Sequence, residues 1–573
     1  MYNKLIADMF NEIAALLSLS DDQNAKFQVR AYQKAALTIG TLQEPIEDIY
    51  RNGGKEALMK LPGIGSTLAD RIIEYIETGK ISKLEELRKK YPIDIKGLTA
   101  LEGMGARKAV QLYKELGVKN IDDLKDAIAK HRIRGLKGFG ERSEEVIAKN
   151  LALLEQSKGR ILLGDALPVA EKIVEFLKKS GLVEQAEIAG STRRMRETVG
   201  DIDILALSKK QEQVMDLFTS MDDVSSVISK GPTKTTVWLK IGVSCDLRVI
   251  EPESFSAALQ YFTGSKDHNI EVRKIAIKNG FKLNEYGLFK NGKAMKTPTE
   301  QSIYEMLGME WMPPEMRESR GEIKLALEHK IPKLVEIGDI KGDMHTHTNE
   351  TDGANTIEQM AEAAKAMGYE YFATTNHTKS LKVAHGMNES QFKRFFDHVD
   401  KIQDRYGIKI FKGAEVDILP DGSLDLSDKM LKSMDCVVAA VHSHFGMSEE
   451  DMTKRVVKAL DSHLVNILAH PTGRVLLERE PYKINLEKVF EAAERNGVAL
   501  EVNAFPNRLD LNDTNIMLAS NYRVKFSIDT DAHRLSHLEF MKYGVGTARR
   551  GWLEKSRVIN TMRLDDMEKF LSK

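Results

Sequence analysis

Apolar positions recur three and four residues apart through residues 1–90, in LIADMFNEIAALLSL and again in RAYQKAALTIGTL, and this spacing predicts amphipathic helices. Three related stretches follow: LPGIGSTLADRIIEYIETG from Leu61, LEGMGARKAVQLYKELG from Leu101 and LKGFGERSEEVIAKNL from Leu136. Each is a Gly-apolar-Gly step, a polar residue and an amphipathic helix, which makes the region a degenerate internal repeat. From about residue 156 the pattern turns to strand-like runs (ILAL, TTVWLKI, SCDLRVI) mixed with helices such as QEQVMDLFTSM. Residues 251–320 combine an aromatic pair, a glycine turn and a helix in YFTGSKDHNIEVRKIAIKNG. Pro313 and Pro314 then break structure. These shifts divide the chain into segments 1–90, 91–155, 156–250 and 251–320, a linker over 321–338, and a last segment over 339–573.

In that last segment, strand-like run, terminal polar residue and helix alternate to the end. The terminal residues are His345 with His347, His377, Glu415, His442, His470, Glu501 with Asn503, and Asp531 with His533. They are spaced by 32, 38, 27, 28, 31 and 30 residues, the length of a βα unit. Seven such units predict a (β/α) barrel with its chemistry at the C-terminal ends of the strands. Asp352, in the loop after His347, adds one more candidate ligand. Mixed imidazole and carboxylate donors suit Zn²⁺, Mn²⁺ or Fe²⁺ and argue against Ca²⁺. Two or three such ions can clamp a phosphoryl group and activate a water, so this segment is read as a metal-assisted phosphoesterase.

A second chemistry is carried by GSTRRMRETVGDID, Gly190 to Asp203. Asp201 and Asp203 share one face of a strand and repel each other unless a cation sits between them. Hard oxygen donors suit Mg²⁺ with phosphate beside it, and Ser191, Arg193 and Arg194 offer phosphate contacts. Asp246 lies inside the apolar strand SCDLRVI, which is costly unless it is paired or liganded. It is the expected third carboxylate, with Cys245 facing the opposite, core side.

The glycine repeat adds a third element. Gly63, Gly65, Gly103, Gly105, Gly138 and Gly140 bring bare backbone N–H groups and a following helix N-terminus close to an anion, a grip on a phosphate backbone that does not read sequence. Composition changes the picture little. The formal net charge is −1, but residues 51–150 carry 21 Lys and Arg against 15 Asp and Glu, a mild basic patch. Two cysteines give no disulfide framework, in keeping with a reducing cytoplasm. The first residues lack the basic start and apolar core of a signal peptide, and no run approaches a membrane span.

Together these motifs resemble the bacterial and archaeal family X DNA polymerases that carry a C-terminal PHP (polymerase and histidinol phosphatase) domain. The quoted resemblance covers nearly the whole chain: LPGIG and LEGMG resemble helix-hairpin-helix elements, GSTRR…GDID and YFTGS…HN…R resemble the polymerase beta palm and the segment after it, and the HxH, NH, GxE, HS, AHP and DAH motifs resemble the PHP domain. It implies a multidomain fold: a helical helix-hairpin-helix region, an α+β nucleotidyltransferase palm and thumb, and a (β/α)7-type barrel. It implies that Asp201, Asp203 and Asp246 hold two Mg²⁺, with Asp246 nearest the primer 3′-OH. Gly190, Ser191, Arg194 and Arg160 would meet the dNTP triphosphate. Tyr261, Phe262 and Gly264 would pack under the sugar, and Asn269 and Arg273 would reach the nascent base pair and the template. In the barrel the implied ligands are His345, His347, Asp352, His377, Glu415, His442, His470, Asp531 and His533, for a 3′→5′ exonuclease or related 3′-end phosphoesterase. The expected partners are dNTPs and duplex DNA with gaps or recessed 3′ ends, with no membrane, in a cytoplasmic, nucleoid-associated monomer.

Three departures qualify the resemblance, one being the extra histidines His385 and His444 near the motifs, read as exposed loop residues. Arg71 stands where the family's Schiff-base lysine follows LPGxG, and a permanently protonated guanidinium is no amine nucleophile. Asn376 precedes His377 where the PHP pattern has Asp, which is expected to retune metal affinity. Two alternative readings stand beside the main one: a DNA-binding scaffold with a purely structural barrel, and an untemplated nucleotidyltransferase using the same Gly-Ser…Asp-x-Asp palm.

Overall fold

A computed structural model describes residues 2–19, 25–40, 42, 46–99, 104–141, 143–145, 147–148, 151 and 159–572. The chain forms two compact units, residues 1–158 with 477–479, and residues 159–476 with 480–573.

In the first unit the predicted helices form around one hydrophobic core that runs from Ile6 to Leu151. Ile6, Phe10, Ile13 and Leu17 are the buried stripe of the helix Tyr2–Leu17. The Gly-x-Gly steps precede helices where the pattern placed them: Gly65 caps Ser66–Thr78 and Gly105 caps Ala106–Leu116, each with extended backbone. Gly63 and Gly138 take φ of 81° and 85°, a conformation that glycine alone adopts readily. Space within 4 Å of the Cβ positions of Gly65, Gly105, Gly138 and Gly140 is open. Gly103 lies outside the described residues.

The second unit begins with a five-stranded sheet: β1 (Gln185–Ile188), β2 (Asp201–Leu207), β3 (Val224–Lys230), β4 (Lys234–Leu239) and β5 (Ser244–Ile250), in spatial order β1-β2-β5-β4-β3. β2 and β5 run parallel and the other pairs antiparallel. Helices Leu163–Lys179 and Gln211–Thr219 bury apolar faces in the same core as the inward side of this sheet. That core is completed by Leu509 and Tyr543 from the C-terminal segment. Helices Phe255–Thr263 and Lys266–Lys278, a small antiparallel sheet and the helix Glu300–Met306 follow. Residues 321–338, expected as a linker, include the helix Glu322–Leu327, whose buried Glu322 bonds His268.

The barrel is made of β6 (Gly342–Thr346), β7 (Tyr371–Thr374), β8 (Lys409–Asp417), β9 (Cys436–Ala440), β10 (Ile467–Leu468), β11 (Ala499–Asn503) and β12 (Phe526–Asp529), all parallel and in sequence order. Strands buried on both faces read as near-continuous apolar runs, as CVVAA does. The seam between β6 and β12 is closed by the His347 N–H donating to the Ala532 carbonyl at 2.8 Å and the Met344 N–H donating to Asp529 Oδ1 at 2.9 Å.

Candidate active sites

The first cluster stands on the two parallel central strands of the mixed sheet. Alternation puts Ile202 and Cys245 in the core and Asp201, Asp203 and Asp246 on the opposite face. The register sets Asp203 directly beside Asp246. Burial, then the charges of Asp201 and Asp246, push the Asp203 carboxyl up to about 6. Asp246 accepts a hydrogen bond from Thr236 Oγ1 at 2.6 Å and pairs with Lys234 Nζ at 2.7 Å. Gly190 lies close against this cluster: with φ of 63°, a Cβ there would sit 2.2 Å from Asp203 Oδ2. The chain can turn past the carboxylate only because residue 190 has no side chain.

Around the carboxylates the other predicted residues occupy distinct positions. Ser191 lies in the short turn Gly190–Arg193. Arg160 donates through Nε to Thr198 Oγ1 at 3.0 Å and feels the charge of Asp201. Arg194 is buried and donates to Glu318 and to the Thr263 carbonyl. Phe262 packs edge-on to Tyr261 and carries the Arg248 guanidinium 4.3 Å from its ring centroid. Gly264 has φ of 69°, and a Cβ there would lie 3.2 Å from Arg194 Nη1. Asn269 has both ends of its amide engaged locally, by Gln260 and by the Tyr261 carbonyl, and Arg273 Nε donates to the Asn269 carbonyl.

The second cluster lies at the C-terminal ends of the barrel strands. Glu415 is its hub. Its Oε2 lies 2.8 Å from His377 Nδ1, 3.4 Å from His345 Nε2 and 3.5 Å from His347 Nε2. Its Oε1 lies 3.1 Å from His442 Nε2 and 2.9 Å from His470 Nε2. Asp531 Oδ1 lies 3.2 Å from His347 Nε2, and Asp352 Oδ2 lies 3.4 Å from both His377 Nε2 and His533 Nε2. All nine predicted ligands therefore meet in one place. Three overlapping groups have donor atoms within 4.8 Å of one another: His347, Asp352, His377 and His533; His345, His347 and Asp531; His377, Glu415 and His442.

Buried polar atoms normally find hydrogen-bond partners. Here both nitrogens of His347, Glu415 Oε2 and Asp531 Oδ1 are buried without a hydrogen bond. Imidazole and carboxylate atoms converging this closely, with several left unbonded, fit divalent cations. Burial, then neighbouring His533 and His377, bring His347 down to about 3, which keeps it an uncharged donor. A cavity of about 250 Å³ opens onto the cluster, with Arg508, Leu381 and Val383 also in its wall.

Family models match residues 1–81 (helix-hairpin-helix domain), 95–152 (SAM-like helix-hairpin-helix tandem), 258–318 (DNA polymerase beta thumb) and 343–505 (PHP domain). Over 578 aligned positions, covering all of both chains, the sequence is 38% identical to the DNA polymerase/3'-5' exonuclease PolX of Bacillus subtilis (strain 168). The chain belongs to the family X DNA polymerases with a PHP domain. A DNA polymerase lambda of Arabidopsis thaliana is 25% identical to this family X chain over 352 residues, 55% of the chain and 62% of that protein. A probable phosphatase of Acetivibrio thermocellus is 32% identical over 165 residues, 28% of the chain and 64% of that protein.

Several residues that support these two family X sites were not singled out from sequence. Glu501, seen there only as a strand-end polar residue, accepts from His345 Nδ1 at 2.6 Å and from the His470 backbone N–H at 2.5 Å, so it orients the His345 imidazole and fixes the main chain that carries His470. Burial raises its carboxyl to about 7 against the pull of His345. Asp417 bonds His442 Nδ1 at 3.1 Å, and its position two residues after Glu415 on one strand was a usable signal. Asn376 accepts from the Thr348 N–H, Thr348 Oγ1 and Thr351 Oγ1, fixing the turn that carries Asp352. Lys234 and Glu318 had no sequence signal, since their partners come from other elements.

Proposed function

We propose that the two clusters perform opposing reactions on one DNA 3′ end: templated gap filling by the first in DNA repair, and 3′→5′ trimming by the second. The reading rests on one observation. A single chain carries an all-carboxylate cluster on a nucleotidyltransferase-like sheet and a histidine-rich cluster on a barrel. Hard oxygen donors suit Mg²⁺ and mixed donors suit Mn²⁺, Zn²⁺ or Fe²⁺, so the two seats take different ions and different chemistry.

Asp201, Asp203 and Asp246 would hold two Mg²⁺, which supply charge neutralisation at the triphosphate and a lowered pKa at the primer 3′-OH. The chain's own part is positioning. Asp246 orients the 3′-OH after Lys234 releases its carboxylate. Ser191, Arg194 and Arg160, with the close backbone at Gly190, bind the triphosphate. Tyr261, Phe262 and the turn at Gly264 pack against the sugar and disfavour a 2′-OH. Asn269 and Arg273 meet the base pair and template. In the barrel, His345, His347, Asp352, His377, Glu415, His442, His470, Asp531 and His533 would hold two or three ions, which supply an activated water and a clamp on the phosphodiester. Glu501 and Asp417 hold the imidazoles of His345 and His442 in their ligating orientations. Gly-x-Gly steps at Gly63/Gly65, Gly103/Gly105 and Gly138/Gly140 grip the duplex backbone. Arg71, held by Glu74, does not supply a Schiff-base amine. The reading extends to a nucleoid-associated monomer; separately, among the described residues no helix is long and apolar enough to cross a membrane.

A gapped-duplex assay with and without dNTPs, in Mg²⁺ and in Mn²⁺, tests the proposal. Template-matched extension with dNTPs and metal-dependent 3′ shortening without them is the expected result. Extension that ignores template sequence would favour the untemplated alternative, and metal-free purified barrel with no 3′ shortening in any ion would favour the scaffold.

A further inference from the structure

Arg194 has two of its three guanidinium nitrogens committed to the protein. Nε donates to Glu318 Oε1 at 3.1 Å and Nη1 donates to the Thr263 carbonyl at 2.5 Å. Nη2 has no protein acceptor among the described residues, so the guanidinium is fixed in direction with one edge left over. Glu318 is itself held from the barrel. Its Oε1 accepts from Arg550 Nη1 at 2.9 Å and its Oε2 from Arg196 Nη1 at 3.3 Å. The same Arg550 Nη1 donates to the backbone carbonyl of Arg194 at 2.7 Å. Arg550 ends the helix Met541–Arg550 that follows β12, and its Nη2 is anchored on Asp513 at 2.6 Å, where Arg320 also pairs at 3.0 Å.

The centre of this network is largely buried and tightly fitted, while Arg196 and Arg320 at its rim reach solvent. The side chains of Arg194, Glu318 and Arg550 are 11%, 9% and 5% exposed. Gly546 of the same helix lies under the segment carrying Arg194, and a Cβ there would come within 2.6 Å of Met195 Cε. Four guanidiniums (Arg194, Arg196, Arg320, Arg550) share two carboxylates (Glu318, Asp513). Arg196 and Arg320 reach solvent, so the two buried guanidiniums, Arg194 and Arg550, are matched by Glu318 and Asp513, and what is left over for a ligand is the uncommitted Nη2 edge of Arg194. A dNTP triphosphate offers acceptor oxygens for that edge.

We propose that Glu318 and Arg550 are positioning residues for the incoming nucleotide. They act through Arg194, so the PHP barrel is a structural part of the polymerase's triphosphate site. The inference rests on the reading of Arg194 as a triphosphate ligand. A planar fork bonded at once to Glu318, the Arg194 carbonyl and Asp513 sets Arg194 in a way that an ammonium cannot copy. Loss of the fork leaves the charge of Arg194 in place but its direction unset, and misplacing a binding group by about 1 Å can cost up to about 100-fold.

The test uses the full chain on gapped duplex, with Arg194→Ala, Glu318→Gln, Arg550→Met and Arg550→Lys. For each variant the dNTP KM, kcat, affinity for the duplex and rate of 3′ resection are measured. Arg194→Ala raises the dNTP KM if the parent reading holds; an unchanged KM there overturns that reading, and the positioning role with it. Given that rise, Glu318→Gln and Arg550→Met are expected to raise the dNTP KM by about 10- to 100-fold. Their kcat, duplex affinity and 3′ resection should stay within about threefold of the parent, with Arg550→Lys recovering only part of the KM. A raised KM in Arg194→Ala with a KM near the parent's in Glu318→Gln and Arg550→Met overturns the coupling alone. So does a rise in KM accompanied by a comparable fall in kcat and in resection in those two variants, which marks a merely structural role. Should Arg550→Met not fold, Glu318→Gln and Arg550→Lys carry the same decision.

Discussion

Asp203→Asn should make the metal-free protein more stable while abolishing nucleotide addition. Three carboxylates share one sheet face, and burial together with Asp201 and Asp246 lifts Asp203 from 3.8 to about 6. At about 1.36 kcal/mol per pK unit, ionising it in the folded, metal-free state costs at most about 3 kcal/mol. Asp203 is only partly buried, so solvent screening makes that figure a ceiling. The folded form holds this proton more tightly than the unfolded chain does. Its contribution to stability is therefore full below about pH 4 and is lost as pH rises through about 6. Asparagine keeps the shape and removes the charge. Calorimetric unfolding in EDTA should show the variant more stable than the parent by up to about 3 kcal/mol near neutral pH, with the gain vanishing by about pH 4. Saturating Mg²⁺ should reverse the order, because the parent alone keeps the complete seat and gains binding energy from it. Primer extension should fall by at least about 1,000-fold. A variant no more stable than the parent in EDTA near neutral pH would refute the mutual-repulsion reasoning, and so would a gain that persists undiminished at about pH 4.

Other outcomes follow from the same geometry. Gly190→Ala places a methyl 2.2 Å from Asp203 Oδ2 at positive φ; extension should drop by about 100-fold with 3′ resection retained, as read on one gapped substrate. Glu501→Gln weakens the acceptors of His345 Nδ1 and the His470 N–H, so elemental analysis after dialysis should show barrel metal affinity reduced by about 10- to 100-fold. For Glu300, burial alone would raise the carboxyl, but Arg317 and Arg193 outweigh it and draw the group down to about 2. Its stabilisation is therefore present above about pH 4.5 and lost as pH falls through about 2. Glu300→Gln should cost about 3 kcal/mol near neutral pH, with the deficit shrinking in acid, measured by denaturant unfolding.

Residues whose partners lie nearby in the repeat were legible from sequence; residues whose partners come from another element were not. The convergence of the nine candidate ligands of the barrel could be read because a βα unit repeats about every 30 residues and each strand must end on the same rim. Asp246 was visible as an acid inside an apolar strand, but its place beside Asp203 is set by the parallel pairing of β2 and β5, which spacing does not encode. Lys234 reaches Asp246 from the neighbouring antiparallel strand, so no one-dimensional pattern linked them. Asn269 shows a different gap. Its position in YFTGSKDHN marked it, but the hydrogen bonds that occupy its amide within the thumb follow from the packing of two consecutive helices. Glu318 and Arg550 lie 232 positions apart, and they meet because the segment at Glu315–Glu318 packs on the end of the helix Met541–Arg550, where Arg549 also pairs with Glu315.

The most direct test of the two-site account is separation of function on a single gapped duplex. Asp201→Ala with Asp203→Ala should abolish extension and leave metal-dependent 3′ shortening intact, while His345→Ala with His347→Ala should do the reverse. Extension surviving in the first double variant, or undiminished 3′ shortening in the second, would contradict the assignment of one reaction to each cluster.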